Sequence, residues 1–455
     1  MTDQEYINSL IDKARAAQEI FMDYNQEQVD EAVRVIGKVC SVNAEMLARE
    51  AVEETGMGDV AAKVVKLQKG PLGLWRWIKD KKSVGIIEED KENGIVVIAK
   101  PFGVIADITP STNPSTTACS NSMMLLKGRN AVIVGPHPQA QKSTAHAVEL
   151  MREELAKIGA PEDMIQVVDD CTLERSQILM ASCDSIVATG GNFMVNAAYS
   201  SGKPSFGVGQ GNEQTIIDAG YGNYDLVVNS IIGNRMYDLG MPCTGDNSIF
   251  IPAAEKDDIL AKFQECGALL IDDAETIDRI RNVLFSTGVL NRAIVGKTPE
   301  ELAPYFDIEV PAGTKVLLVK GSEPGAGDMM NKEILCPMIR FFTYEKFEDA
   351  VAGAAANLYV EGAGHSACLW SRDKEHIEYA GMKLPTCRLL VEQTGAGAAG
   401  NTPNNGLNPT LSISCGSWGG NALSENLSYY HFLNMTRISY NLPDRAPLDM
   451  AEWNA

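Results

Sequence analysis

Gly103-Val-Ile-Ala-Asp-Ile-Thr-Pro110 and Asn130-Ala-Val-Ile-Val-Gly135 are short β-rich runs that stop at turn residues, and an amphipathic stretch from Lys142 to Gly159 follows the second. Ile165-Gln-Val-Val168 and Ser185-Ile-Val-Ala-Thr-Gly190 repeat the pattern. Strands alternating with helices imply an α/β chain with a parallel, doubly wound sheet, and such sheets bind ligands at the carboxyl ends of their strands. Those ends carry Thr109-Pro110-Ser-Thr-Asn113, then Gly135-Pro-His137-Pro138, then Thr189-Gly190-Gly191, which opens a helix. Two glycines at a helix N-terminus let backbone N–H groups approach a phosphate, although a plain tight turn uses the same pair. No strict GxGxxG occupies that position. Gly207-Val-Gly209-Gln-Gly-Asn212 has glycine spacing but no clean strand-to-helix junction.

Working outward toward the N-terminus, apolar residues at helical spacing (Ile7, Leu10, Ile11, Ala14, then Val29, Ala32, Val33, Ile36) predict a helical lead-in from Gln4 to Thr55, with another helix from Val60 to Lys79. Asn93-Gly94 between Val84-Gly-Ile-Ile and Ile95-Val-Val-Ile predicts a hairpin over 84–99. A hairpin outside the alternating region has to pack on the body or pair with another subunit.

Toward the C-terminus, Tyr237-Asp-Leu-Gly-Met-Pro-Cys243-Thr-Gly-Asp-Asn-Ser248 sets one thiol among turn formers, just ahead of the strand-like Ile249-Phe-Ile-Pro252. A thiol placed there can meet a substrate, and reactivity would require partial exposure and an electropositive setting. Most free cysteines simply pack as small hydrophobes. A second α/β region follows, with helices near 257–266, 273–286 and 347–359, strands at Lys315-Val-Leu-Leu-Val-Lys320 and Met338-Ile-Arg-Phe-Phe342, and loop-like stretches at 395–406 and 413–421. One more strand is expected between Tyr429 and Tyr440.

The 455 residues leave room for two or three domains. A net charge of −21 with no Lys/Arg cluster argues against nucleic acid and anionic membranes as partners. None of the ten cysteines forms a CxxC pair or a metal-ligand spacing with the five histidines, so neither zinc nor a disulfide framework is expected. No apolar run is long enough to span a bilayer, and the acidic start lacks a signal core, which points to the cytoplasm.

With these residues in order, the chain resembles the aldehyde dehydrogenase superfamily, and its CoA-acylating branch in particular. Cys415-Gly-Ser-Trp-Gly-Gly-Asn421 followed by Ser424-Glu-Asn426 carries that narrower likeness. The resemblance implies a Rossmann-like cofactor domain (1–235), a catalytic domain (236–428) and an oligomerisation element made by the 84–99 hairpin and the C-terminal segment 429–455. It implies Cys243 as nucleophile, Asn113 as oxyanion donor and His365 as acceptor of the CoA thiol proton, a packed structural histidine being the other reading of His365. The cofactor would be NAD or NADP, with CoA as cosubstrate and no metal. Thr109, Pro110, His137, Pro138, Thr189, Gly190, Gly191, Gly209, Glu333 and Pro337 would hold the nucleotide, and Thr244, Asn401 and Thr402 would meet the aldehyde.

Hydrolytic relatives carry a glutamate where this chain has Gly207, so a thioester would survive until CoA takes the acyl group. The nucleophile context departs from the branch at Thr244-Gly245-Asp246-Asn247. Likeness to succinate-semialdehyde and sulfoacetaldehyde enzymes implies a short anionic aldehyde. An acetaldehyde or propionaldehyde enzyme, a hydrolytic enzyme giving the free acid, and a catalytically silent scaffold are the competing readings. A homodimer or homotetramer is expected.

Overall fold

The computed structural model describes residues 1–400, 404–445 and 449–454. Its N-terminal helices begin where local chemistry says they should. Thr2 and Glu5 form a capping box ahead of helix Asp3–Phe21, Asn25 and Gln28 form another ahead of Gln26–Val42, and Asp59 caps Val60–Ile78. The lead-in therefore divides into helices 3–21, 26–42 and 44–55. Ile7, Leu10, Phe21, Val33 and Ile36 share one core with Ile105, Val132 and Ile186 of the first sheet.

That sheet has five strands, in the spatial order Ile165–Val167, Ala131–Gly135, Val104–Ile108, Ser185–Thr189 and Ser205–Val208, all parallel. Ile108 pairs with both Gly135 and Ala188, so three strands end level. Thr109, His137 and Thr189 consequently emerge at one edge.

Seven parallel strands form the second sheet, ordered Ala268–Ile271, Val316–Lys320, Met338–Tyr344, Ser248–Pro252, Gln214–Ile217, Ala367–Trp370 and Leu389–Val391. The chain passes from one sheet to the other between Val208 and Gln214, ahead of the division expected at residue 235. Near the other boundary, Leu427 packs in the N-terminal core, before 429.

The expected hairpin pairs Gly85–Asp90 with Ile95–Pro101, and Leu433–Ser439 adds to Ile95–Pro101 as a third antiparallel strand. The chain thus fills one hairpin edge itself. Gly85–Asp90 and Leu433–Ser439 remain as edges, and Ile86, Met435, Ile438 and Tyr440 are exposed there. Among the described residues, no helix is long and apolar enough to cross a membrane.

Candidate active site

A cleft of about 990 Å³ runs between the strand ends of the first sheet and the loop that precedes Ser248–Pro252. This is large enough for a nucleotide and a small substrate together. Cys243, Asn113, Thr109, Pro110, His137, Pro138, Thr189, Gly190, Gly191, Gly209, Glu333 and Thr244 all line it. Sequence positions from 109 to 333 therefore converge on one cavity.

Cys243 sits half-buried in the turn closed by Gly245 N–H donating to Pro242 C=O at 2.9 Å. The turn is braced from behind. Asp246 and Asn247 are buried, Asp246 accepting from Thr215 and Asn234, and Asn247 Nδ2 donating to Asn212 Oδ1 at 2.6 Å. Arg235 donates to Gly245 C=O at 3.2 Å and to Asn247 Oδ1 at 3.1 Å. The departure at 244–247 is thus mostly scaffolding: of the four, Thr244 alone lines the cleft. Gly211 is required for close approach, because a Cβ there would collide with the Cys243 carbonyl.

Burial pushes the Cys243 thiol well above its ordinary range, with Glu333, Cys415 and Glu213 adding to the rise and Lys66 opposing it. The electropositive setting expected of an activated thiol is absent. The cation that opposes the rise is Lys66, which donates to Asn113 Oδ1 at 2.8 Å and to Asp238 Oδ2 at 2.5 Å, and the Arg388 guanidinium also interacts with the thiol.

Asn113 precedes helix Pro114–Lys127 yet makes no capping bond with its side chain. Asparagine at that position normally contributes about 1 kcal/mol by capping. Here the amide faces the cleft instead.

At the strand ends of the first sheet, Gly191 is the N-cap of helix Asn192–Ser200, and a Cβ on Gly190 or Gly191 would meet nothing within 4 Å. The helix start is open to an anion. Thr109 Oγ1 is buried without a partner among the described residues, an atom a bound ligand could satisfy. His137 Nδ1 accepts from Gln139 N–H at 3.1 Å, which leaves its Nε2–H to donate, and burial with nearby Arg292 holds it neutral. Glu333 accepts from Gly211 N–H at 3.1 Å, and burial beside Glu361 pushes its carboxyl up to about 8. Among the described residues, no cluster of histidines, cysteines and carboxylates could hold a metal ion.

Two expectations fail. Pro337 is buried outside the cleft, because the chain turns Leu335 toward the cavity and Pro337 inward against Gly240 before entering strand Met338–Tyr344. His365 does not line the cleft either. Its imidazole is 0% exposed, Nδ1 lies 2.9 Å from Ser366 Oγ, Ser366 bonds Glu213, and burial beside Arg388 lowers its pKa to about 3. It is a packed, neutral side chain whose Nε2 has no hydrogen-bond partner among the described residues. Asn401 and Thr402 lie outside the described residues.

The sequence reading missed Lys66, Tyr237 and Asp238. Lys63 and Lys66 one turn apart on a mostly apolar helix were the available signal, since two ammonium groups on a packed face need an acid between them.

The aldehyde dehydrogenase family profile matches residues 1–274. This chain belongs to the aldehyde dehydrogenase family. As a member, it is 48% identical to succinate-semialdehyde dehydrogenase (acetylating) of Clostridium kluyveri over 97% of each chain. It is 37% identical to sulfoacetaldehyde dehydrogenase (acylating) of Bilophila wadsworthia, over 95% of this chain and 94% of that one. The crystal structure of an acetylating aldehyde dehydrogenase from Geobacillus thermoglucosidasius superposes with a TM-score of 0.94 at 32% identity, covering 98% of both chains. The aldehyde dehydrogenase fold, with its five-stranded sheet, seven-stranded sheet and three-stranded appendage, is the architecture described above.

Proposed function

We propose that this enzyme oxidises a short anionic aldehyde, succinate semialdehyde or sulfoacetaldehyde, to the acyl-CoA with NAD⁺ or NADP⁺, reversibly. The observation that carries the acylating course is Gly207. A side chain there would run into Val195 at 2.5 Å and Tyr199 at 2.8 Å, so no carboxylate fits where a hydrolytic base would stand.

Cys243, after losing its proton to solvent against the opposition of its burial, attacks the aldehyde carbonyl as thiolate, and the oxyanion is held by the Cys243 backbone N–H and the Asn113 amide, donors whose loss costs on the order of 3 kcal/mol. Bound NAD⁺ or NADP⁺ supplies the hydride acceptor that turns the adduct into a thioester. Thr189, Gly190 and Gly191 offer backbone N–H groups to its pyrophosphate, Glu333 a carboxyl to its ribose, and Thr109, Pro110, His137, Pro138 and Gly209 the remaining wall. The CoA thiolate then attacks the thioester carbonyl, the Cys243–acyl bond breaks, and Cys243 leaves as thiolate.

Lys66 is committed to Asp238 and Asn113, whereas Lys69, one turn along the same helix, lines the cleft with no ion pair among the described residues. Lys69 is the partner for the carboxylate or sulfonate. The ten cysteines stand as free thiols, which supports a reducing, cytoplasmic setting. The three-stranded sheet, with two free edges, is the surface on which a homodimer or homotetramer would form.

The test is NADH and NADPH formation with succinate semialdehyde, sulfoacetaldehyde, acetaldehyde and propionaldehyde, each with and without CoA. The expected result is strict CoA dependence, with an anionic aldehyde preferred about tenfold in kcat/KM and the preference lost in Lys69→Met. Equal rates without CoA would establish the hydrolytic course instead.

A further inference from the structure

Four observations meet at one ammonium. Lys66 Nζ donates to Asn113 Oδ1 at 2.8 Å and to Asp238 Oδ2 at 2.5 Å, and lies 5.3 Å from the centre of the Tyr237 ring. Asp238 is buried and also accepts from Lys63 Nζ at 3.2 Å and from the Asp59 backbone N–H at 2.8 Å. Lys63 in turn donates to Thr112 C=O at 2.7 Å, gripping the residue before Asn113. Asp238 and Leu239 both adopt left-handed backbone, φ 47° and 54°, five and four positions ahead of the thiol. Such strain costs on the order of 1–3 kcal/mol per residue and persists where the surroundings impose it.

The chemistry of this arrangement fixes an orientation. An ammonium has donors and no acceptor, so the atom of Asn113 that faces Lys66 has to be the carbonyl oxygen. The amide nitrogen then points away from Lys66. Asn113 Nδ2 makes no hydrogen bond among the described residues, and neither caps the helix it precedes nor binds a neighbour. A freely rotating amide would present oxygen or nitrogen to the cleft, and only the nitrogen stabilises an oxyanion. Polarising the carbonyl with a cation also strengthens the opposite N–H as a donor.

We infer that Lys66 is a positioning residue: anchored by Asp238, it locks the Asn113 amide with Nδ2–H turned to the oxyanion that forms on Cys243. This rests on the acylating reading of the site. It assigns the lysine pair of helix Val60–Ile78 to the chemistry and gives Asp238 a reason to be buried in strained backbone.

Steady-state rates with succinate semialdehyde, CoA and both nucleotides test it in Lys66→Met, Lys66→Arg, Asn113→Ala and the double variant Lys66→Met/Asn113→Ala. Lys66→Met is expected to lower kcat about 30-fold, as for a misplaced catalytic group, with the KM for CoA within twofold. The double variant should fall no more than about threefold below Asn113→Ala, since both changes remove one contact. Lys66→Arg, which keeps charge and donors, should recover most of the rate. Additive losses in the double variant, or a Lys66→Met kcat within twofold of the parent, would overturn the inference. If Lys66→Met fails to fold, Lys66→Arg and Asn113→Ala decide alone: an arginine variant as slow as Asn113→Ala overturns it. Turnover surviving in Cys243→Ala removes the reaction itself, an outcome distinct from a normal Lys66→Met beside a dead Cys243→Ala.

Discussion

The two walls of the cleft are built in opposite ways. On the side of the first sheet the wall is backbone and small residues: Thr189, Gly190 and Gly191 at the start of a helix, with open space where side chains on the two glycines would stand. On the thiol side it is a buried polar lattice in which Arg235, Asp246, Asn247, Asn212 and Glu213 hold one loop in place. A ligand bound by backbone amides tolerates little added bulk but needs no charged support. The thiol loop is instead fixed by buried side chains and by the Glu213 backbone carbonyl.

The largest effect is expected at the thiol itself. Cys243→Ala should lower CoA-dependent turnover by about 10⁴-fold or more, with the urea midpoint unchanged; residual turnover near the parent's would dissolve the distinction between the walls. Next comes the lattice. Arg235→Met leaves the Gly245 and Ile334 carbonyls without their buried donor, so the urea midpoint should fall by the equivalent of about 3 kcal/mol. On the other wall, Gly190→Ala meets no neighbour. It should leave the midpoint alone while raising the KM for the nucleotide about tenfold, or 1.4 kcal/mol.

The smallest effect is a slope. Burial raises the carboxyls of Glu213 and Glu333 to about 8 each. Between the usual carboxylate range and pH 8 the folded chain holds protons that the unfolded chain has released, so stability is full at the acidic end and is lost as pH rises through that window. Glu213→Gln, which mimics the protonated form, should flatten the dependence of the urea midpoint on pH between about 5 and 8. An unchanged slope would show that the lattice carries Glu213 ionised.

The strand–glycine–glycine–helix junction at 185–200 was legible because its signal is local: a strand, two glycines and a helix in sequence. The Asn93-Gly94 hairpin and the Cys243 turn were legible for the same reason. Lys66 and Asp238 were not, since their contact joins a helix of the first core to the thiol loop, and nothing near either residue announces the other. His365 shows the limit from the other side. The resemblance left a proton acceptor and a packed histidine both open, and only the packing of Arg388, Ser366 and Glu213 around it reveals a group held neutral. Pro337 failed by two residues, because a turn decided which side chain faced inward. Most of the 244–247 departure is mortar, and Thr244 alone of the four lines the cleft.

The strand Leu433–Ser439 pairs with Ile95–Pro101, and Leu427, Phe432 and Leu433 pack into the core that Ile7, Ile36 and Ile105 begin. During synthesis the first-made sheet must therefore wait for residues 427–433, which follow the whole second sheet, before its apolar surface is sealed. The seven-stranded sheet emerges in the interval, beside an unfinished neighbour. Contacts of such long sequence separation slow folding and prolong exposure of sticky intermediates. In this chain the order of translation and the order of completion are reversed.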